Sequence, residues 1–192
     1  MRIGILTPLF PPDVEEPAPY VKELSGRLGK EHEVTVLLYG HLPESVSGVT
    51  LLAIDKRTSI LRRMFAYTRT LYRLARNVEM LFVENGPSVE LPALLVHLTT
   101  GTPYILHEGD PRVVVALSHS NPLRTRFARA VRTHAHAIIT DSPKPRQEIL
   151  PFTPRPATEL ATFKAEWEKH LKEVVHKLQT SYVIPAKAGM TY

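Results

Sequence analysis

The sequence predicts an α/β fold with a mainly parallel sheet. Short runs rich in Ile, Val and Leu alternate with segments whose apolar residues have helical spacing, as is typical of strands buried between two layers of helices. Strands are predicted at 2–7, 33–38, 49–54, 79–84, 103–107 and 136–140. Helices are predicted at 17–30, 58–77, 88–100 and 121–134. Since the chain has 192 residues and 43% of them are hydrophobic, a single Rossmann-like domain accounts for the pattern.

The alternation of strand and helix is interrupted twice. Between Glu33 and Ile54 two strands follow one another across a polar turn. From Pro143 to Pro156 five prolines fall within fourteen residues. Because proline fixes φ and lacks an N–H donor, we expect this second stretch to be a stiff, irregular connection.

A last amphipathic helix is predicted at 158–179. Its apolar side chains recur at helical spacing and form one stripe, made of Leu160, Phe163, Trp167, Leu171, Val174 and Leu178. We expect this helix to pack back onto the domain. The predicted organisation is therefore a Rossmann-like domain over 1–150, a Pro-rich connection over 151–157, the helix over 158–179 and a disordered tail over 180–192.

The composition excludes several classes of protein. The chain has no cysteine, so it has neither disulfides nor thiolate metal ligands. No segment reaches the roughly 20 apolar residues that span a bilayer, and the first residues lack the pattern of a signal peptide. We expect a cytoplasmic protein.

Positive charge is concentrated in two stretches. Six arginines and no acidic residue lie between Arg57 and Arg76, and five more arginines lie between Pro111 and Thr140. In the first stretch four arginines share one helix face, namely Arg62, Arg69, Arg73 and Arg76. This face suits anionic lipids at the inner face of the membrane, or it is an ordinary solvated surface. The sequence has no nucleic-acid-binding motif, and we expect no nucleic-acid partner.

In an open parallel sheet, ligands bind beyond the carboxyl ends of the strands. The loop after the first predicted strand, 7–17, lacks the glycines that let backbone amides approach a pyrophosphate. This argues against a Rossmann enzyme with a nicotinamide or flavin cofactor. We expect no cofactor.

Six segments in this part of the chain resemble one known family. They are ILTPLFPP at 5–12, PAPYVKEL at 17–24, HEVTVL at 32–37, ENG at 84–86, PYILHEGD at 103–110 and AIITDS at 137–142. In their sequence and order they resemble the N-terminal, acceptor-side half of family-4 glycosyltransferases with the GT-B fold. The resemblance covers about residues 1–150.

Two departures shape what the resemblance implies. The family usually has a Gly-Gly pair where this chain has Glu15-Glu16, and two carboxylates there would repel a phosphate. The C-terminal half, which holds the nucleotide sugar in the family, has no counterpart in these residues. We therefore expect an acceptor-binding domain that transfers sugar to a glycan or lipid-linked acceptor only with a separate donor-binding partner, without an obligatory metal.

The resemblance also implies site residues. His107 matches a histidine that faces the transferred sugar, which makes it the candidate catalytic residue. The candidate acceptor-binding residues lie in the surrounding loops and are Pro12, Glu15, Glu16, Asn85, Glu108 and Asp110. The alternative for His107 is a structural role at a strand end. A metal site of His107, Glu108 and Asp110 is the weakest interpretation, because no second histidine has a matching spacing.

Two functional hypotheses remain open. One is half of a split glycosyltransferase that is inactive alone. The other is a non-catalytic acceptor-binding or membrane-surface module, or a truncated remnant of a glycosyltransferase. A neighbouring gene for a lone nucleotide-sugar-binding domain would favour the first.

Overall fold

The computed structural model describes residues 1–15, 17–108, 122–140 and 157–180. The expected site residues Glu16 and Asp110 lie outside these ranges. The Pro-rich connection up to residue 156 and the tail from residue 181 also lie outside them.

Within the described residues, six strands and five helices form the fold. The strands are β1 (Arg2–Thr7), β2 (Glu33–Tyr39), β3 (Val49–Ile54), β4 (Met80–Glu84), β5 (Tyr104–His107) and β6 (Ala137–Ile139). The helices are α1 (Ala18–Leu28), α2 (Ile60–Ala75), α3 (Pro87–Thr100), α4 (Pro122–His134) and α5 (Ala157–Thr180).

The strands form one sheet in the order β3-β2-β1-β4-β5-β6. All five neighbouring pairs are parallel. This order confirms the predicted Rossmann-like fold, and the strand order reverses between β1 and β4. The carboxyl ends of these two strands therefore flank the position where such sheets bind ligands.

Each face of the sheet has its own hydrophobic core. Along β1 and β4, alternate residues point to opposite faces, so Ile3 and Phe82 join one core while Leu6 and Leu81 join the other. The first core is covered by α1 and α5. The second is covered by α2, α3 and α4.

The strands β2 and β3 are parallel although no helix connects them. Parallel neighbours usually need a crossover of a dozen or more residues. Here the nine residues 40–48 return along α1, and in extended form they reach about 30 Å, which exceeds the length of β2. Gly48, at φ 76°, lies against the Gly29 carbonyl, where a Cβ would be 2.9 Å from the oxygen. The absence of a side chain allows this close packing.

The helix α5 packs back onto the domain, as predicted. Trp167, Val174 and Leu178 are completely buried in the core on the α1 side. The Arg27 guanidinium lies over the Trp167 ring, 4.9 Å from its centroid. Lys177 Nζ donates to the Ile138 carbonyl at 2.9 Å and joins the helix to the last strand.

Candidate functional site

The loops after β1 and β4 meet at the carboxyl edge of the sheet, beside the reversal of strand order. Gly86 precedes α3 with a φ of 153°, and a Cβ at this position would lie 3.6 Å from the Pro8 ring. The loop after β3 also reaches the β1 loop, because Lys56 Nζ donates to an Asp13 carboxylate oxygen at 2.5 Å. Three loops thus line one edge.

The predicted catalytic residue, His107, forms a buried pair with Glu84. The two residues are direct neighbours in the register of β4 and β5, so their side chains leave the same face. His107 Nδ1 lies 2.9 and 3.0 Å from the two Glu84 carboxylate oxygens. The side chains are only 2% exposed. With Glu84 ionised, Nδ1 must carry the proton, because a carboxylate only accepts hydrogen bonds.

The other ring nitrogen of His107, Nε2, differs from Nδ1 in its hydrogen bonding. Among the residues that the structure describes, none forms a hydrogen bond with His107 Nε2. In a neutral imidazole protonated on Nδ1, Nε2 is a hydrogen-bond acceptor and a base. A buried acceptor without a partner is costly, and a catalytic or ligand-binding role is one physical reason for keeping such a group.

Aromatic side chains from α1 and α5 cover this histidine. The Tyr20 ring stacks on the His107 ring with centroids 4.5 Å apart. The Tyr20 hydroxyl lies 2.7 Å from His170 Nε2, and Trp167 stacks on the far side of the cluster, 5.7 Å from the Tyr20 ring. The His107 residue is therefore only 1% exposed, beneath the C-terminal helix.

A second polar group lies on the opposite face of the sheet edge. Arg132 Nε donates to a Glu108 carboxylate oxygen at 2.7 Å. Glu90 is 6% exposed and accepts a hydrogen bond from the Gly86 backbone N–H at 3.1 Å. Burial raises the pKa of Glu90 above its ordinary value, while the Gly86 bond and nearby Arg132 partly oppose the shift. Burial also raises the pKa of Tyr104 to about 12, with a smaller contribution from Glu90.

The other predicted acceptor residues lie around these two groups. Pro12 and Glu15 are exposed in the β1 loop, and Asn85 is half-buried directly after β4. Glu108 is 8% exposed and is held by Arg132 rather than facing open solvent. The described residues contain no group of three or more His, Asp or Glu side chains placed to bind a metal, and Asp110 is not among them.

Sequence reasoning missed three contributors to the site: Glu84, Tyr20 and His170. Glu84 had a usable signal, because a glutamate ends the strand next to the one that ends at His107. The roles of Tyr20 and His170 depend on the docking of α5, which brings together residues 150 positions apart.

Comparisons with known proteins address the fold. No protein-family model matches the sequence, and no curated protein matches it. The structure is similar to that of Anabaena HepE (Alr3699) in complex with UDP and glucose, with a TM-score of 0.51 and 14% identity over 74% of this chain and 38% of that one. It is also similar to a UDP-N-acetylglucosamine 2-epimerase from Listeria monocytogenes (TM-score 0.48, 13% identity, 72% and 38% covered). A transferase from Siraitia grosvenorii in complex with UDP is more distant (TM-score 0.40, 9% identity, 56% and 28% covered).

The similarity to HepE defines the class of fold. The chain has the Rossmann-like α/β fold found in proteins with the GT-B fold. It spans about two-fifths of the length of HepE, since 38% of that chain is covered.

Proposed function

We propose that this chain is the acceptor-binding domain of a glycosyltransferase related to family 4. It works with a separate donor-binding polypeptide, which supplies the nucleotide sugar. The acceptor is a glycan or a lipid-linked sugar, and the reaction transfers a glycosyl unit to one of its hydroxyl groups.

The Glu84–His107 pair is the observation that carries this proposal. Glu84 holds the Nδ1 proton and orients the ring, so the Nε2 lone pair can accept a hydrogen bond or a proton. A sugar hydroxyl is a matching donor. The pair lies at the carboxyl ends of the strands, where Rossmann-like folds bind ligands.

The requirement for a partner rests on the extent of the fold. The described residues form one sheet, and the similarity covers 38% of HepE, a protein solved with UDP and glucose. The exposed Glu15 in the β1 loop also disfavours a phosphate close to that loop. A donor site on a second polypeptide, closing over the carboxyl edge, is consistent with both observations.

The decisive experiment is a transfer assay with radiolabelled UDP-, GDP- and ADP-sugars. The chain is incubated alone and with a separately expressed nucleotide-sugar-binding domain, in the presence of glycan and prenyl-phosphate-linked acceptors. We expect transfer only in the mixture. Transfer by the chain alone would overturn the split arrangement, and no transfer in any mixture would overturn the catalytic assignment.

The role of His107 is tested by His107→Asn in the same mixture. The Asn amide can still donate to Glu84, but it has no basic nitrogen, so we expect a rate loss of about 100-fold or more. His134→Asn on the exposed surface of α4 is the matched control and should retain the wild-type rate. A wild-type rate for His107→Asn would limit His107 to a structural role.

One observation favours a second function. His107 is 1% exposed beneath Tyr20 and α5, so an acceptor reaches it only if this cover moves. A non-catalytic module that binds its acceptor through the exposed loop residues, such as Pro12 and Glu15, needs no such movement. Saturation-transfer NMR would show acceptor binding for either function, whereas the transfer assay separates them.

A further inference from the structure

The three helices on one face of the sheet are almost free of negative charge. Four arginines lie in α2 and four in α4, and the sequences of α2, α3 and α4 contain a single acidic residue, Glu90. Glu90 is buried and makes no negative surface. The positive charge of this face therefore comes from α2 and α4, and no exposed acidic side chain of the three helices offsets it.

The same helices expose large apolar side chains. Nine such side chains are strongly exposed in the described part of the chain, and seven of them belong to these helices: Ile60, Leu61, Phe65, Tyr72, Leu95, Leu98 and Leu123. Leu61 is 83% exposed and Phe65 is 71% exposed. Since α2 packs beside α3, and α3 beside α4, these residues share one side of the molecule.

The arrangement on α2 is ordered around the helix axis. Tyr67, Leu71 and Leu74 face the core. At 100° per residue, Leu61, Phe65 and Tyr72 form a narrow outward stripe. The adjacent stripe consists of the exposed arginines of the predicted basic face, namely Arg62, Arg69, Arg73 and Arg76.

The opposite side of the protein, which is covered by α1 and α5, differs in its charge and in its exposed apolar residues. The outer surface of α5 carries glutamates together with lysines, including the pair Glu173 and Lys177 at 2.8 Å. None of the strongly exposed large apolar residues lies on α1 or on the described side chains of α5. Among the described side chains, the combination of large exposed apolar residues and arginines is thus found on the face formed by α2, α3 and α4.

We propose that the α2–α3–α4 face binds the surface of an anionic lipid bilayer. The helix α2 lies in the plane of the headgroups, where Leu61, Phe65 and Tyr72 enter the acyl boundary and the neighbouring arginines contact lipid phosphates. Among the described residues, no helix combines the length and apolar character needed to cross a bilayer.

The proposed membrane contact also affects where the candidate functional site lies relative to the lipid. The two remaining exposed apolar residues, Val14 and Leu42, lie in the loops after β1 and β2. Both loops leave the carboxyl edge, and α2 begins at this edge because it follows β3. A membrane that also contacts these loops would bring the carboxyl edge of the sheet close to the lipid surface, while the Glu84–His107 pair stays on the side of the sheet covered by α1 and α5. The lipid-binding proposal itself does not depend on sugar transfer.

Vesicle co-sedimentation tests the proposal with the full chain. We expect binding to vesicles of phosphatidylcholine mixed with phosphatidylglycerol, and weak binding to phosphatidylcholine alone. Arg69→Gln with Arg73→Gln should weaken the binding to anionic vesicles about 30-fold, from about 1 kcal/mol for each arginine. The matched control, Lys164→Gln with Lys169→Gln, removes the same charge from exposed positions on α5 and should bind like the wild type.

A second variant separates the apolar contribution from the charge. Leu61→Ser with Phe65→Ser leaves every arginine in place and should still weaken vesicle binding at least tenfold, as roughly expected for two lost apolar insertions. Circular dichroism confirms that each variant is folded. The proposal would be overturned if the α2 and α5 charge variants lost the same amount of vesicle binding, or if the serine variant bound vesicles as well as the wild type. Tighter binding to duplex DNA than to vesicles would also overturn it.

Discussion

At the scale of single residues, the buried Glu84–His107 pair links the candidate site to the stability of the fold. Both groups are buried, and each is the partner that the other needs. Removing one partner leaves the other desolvated and unpaired, which costs more than the bond contributes. The pair is therefore expected to be structurally important whether or not it takes part in catalysis.

Glu84→Met tests this expectation, because the substitution keeps an unbranched side chain of similar length and removes the carboxylate acceptor. We expect the free energy of unfolding to fall by roughly 1–3 kcal/mol in urea titrations. Glu44→Gln, which weakens the surface ion pair with Lys22, should cost less than about 1 kcal/mol. Equal losses in the two variants would contradict a special contribution from the buried pair.

Glu90 provides a prediction for the pH dependence of stability. Because burial raises its pKa in the folded state, the protonated form is favoured by folding. Its contribution to stability is full below the ordinary pKa of 4.5 and is lost as the pH rises through the raised value.

Glu90→Gln should therefore raise the Tm near neutral pH and leave it unchanged in acid, because glutamine resembles the protonated acid and still accepts from Gly86. Thermal unfolding followed across this pH range measures the difference. Glu166→Gln on the exposed face of α5 serves as the control. A lower Tm for Glu90→Gln at neutral pH would show that the ionised carboxylate stabilises the fold through Arg132.

At the scale of elements, α5 decides whether the site is covered. Its apolar stripe fills the core above α1, and its residues Trp167 and His170 contact Tyr20. Trp167 is the only tryptophan in the chain, so its fluorescence reports the docking of this helix.

Val174→Asp should undock α5, because it places a charge at a completely buried position. We expect a red shift of the Trp167 emission, stronger quenching by acrylamide and a stability loss on the order of 3 kcal/mol. Lys172→Asp introduces the same carboxylate at an exposed position of the same helix and should change none of these. An unshifted emission in Val174→Asp would mean that the helix tolerates the charge without undocking.

At the scale of the whole molecule, the fold offers one ligand-binding edge and no second lobe among the described residues. A GT-B enzyme binds its donor between two lobes, as the sequence resemblance implies. We therefore predict that the chain alone does not bind nucleotide sugars. Isothermal titration calorimetry with UDP-, GDP- and ADP-sugars measures this, and heat from any of them with the chain alone would require a donor site within this domain.

The sequence by itself determined the sheet and its covering helices. Buried parallel strands need continuous apolar runs and the helices between them need a 3.6-residue period, so both patterns are visible before folding. The C-terminal helix followed from its apolar stripe, and His107 was selected as a candidate from its position at the end of a predicted strand and from the family resemblance. The short parallel connection from β2 to β3 was not predictable, because it depends on the packing of Gly48 against Gly29.

Only the tertiary structure decided how the site is built. The register of β4 and β5 brings Glu84 to His107, and the docking of α5 brings His170 to Tyr20 across 150 positions. The exposure of Leu61 and Phe65 beside the arginines was equally hidden, since a helical period identifies the core-facing stripe but does not show which outward residues stay uncovered. Periodicity in the sequence indicates which face of a helix or strand is buried. Contacts between distant elements form only when the whole chain is packed, so the sequence pattern does not show them.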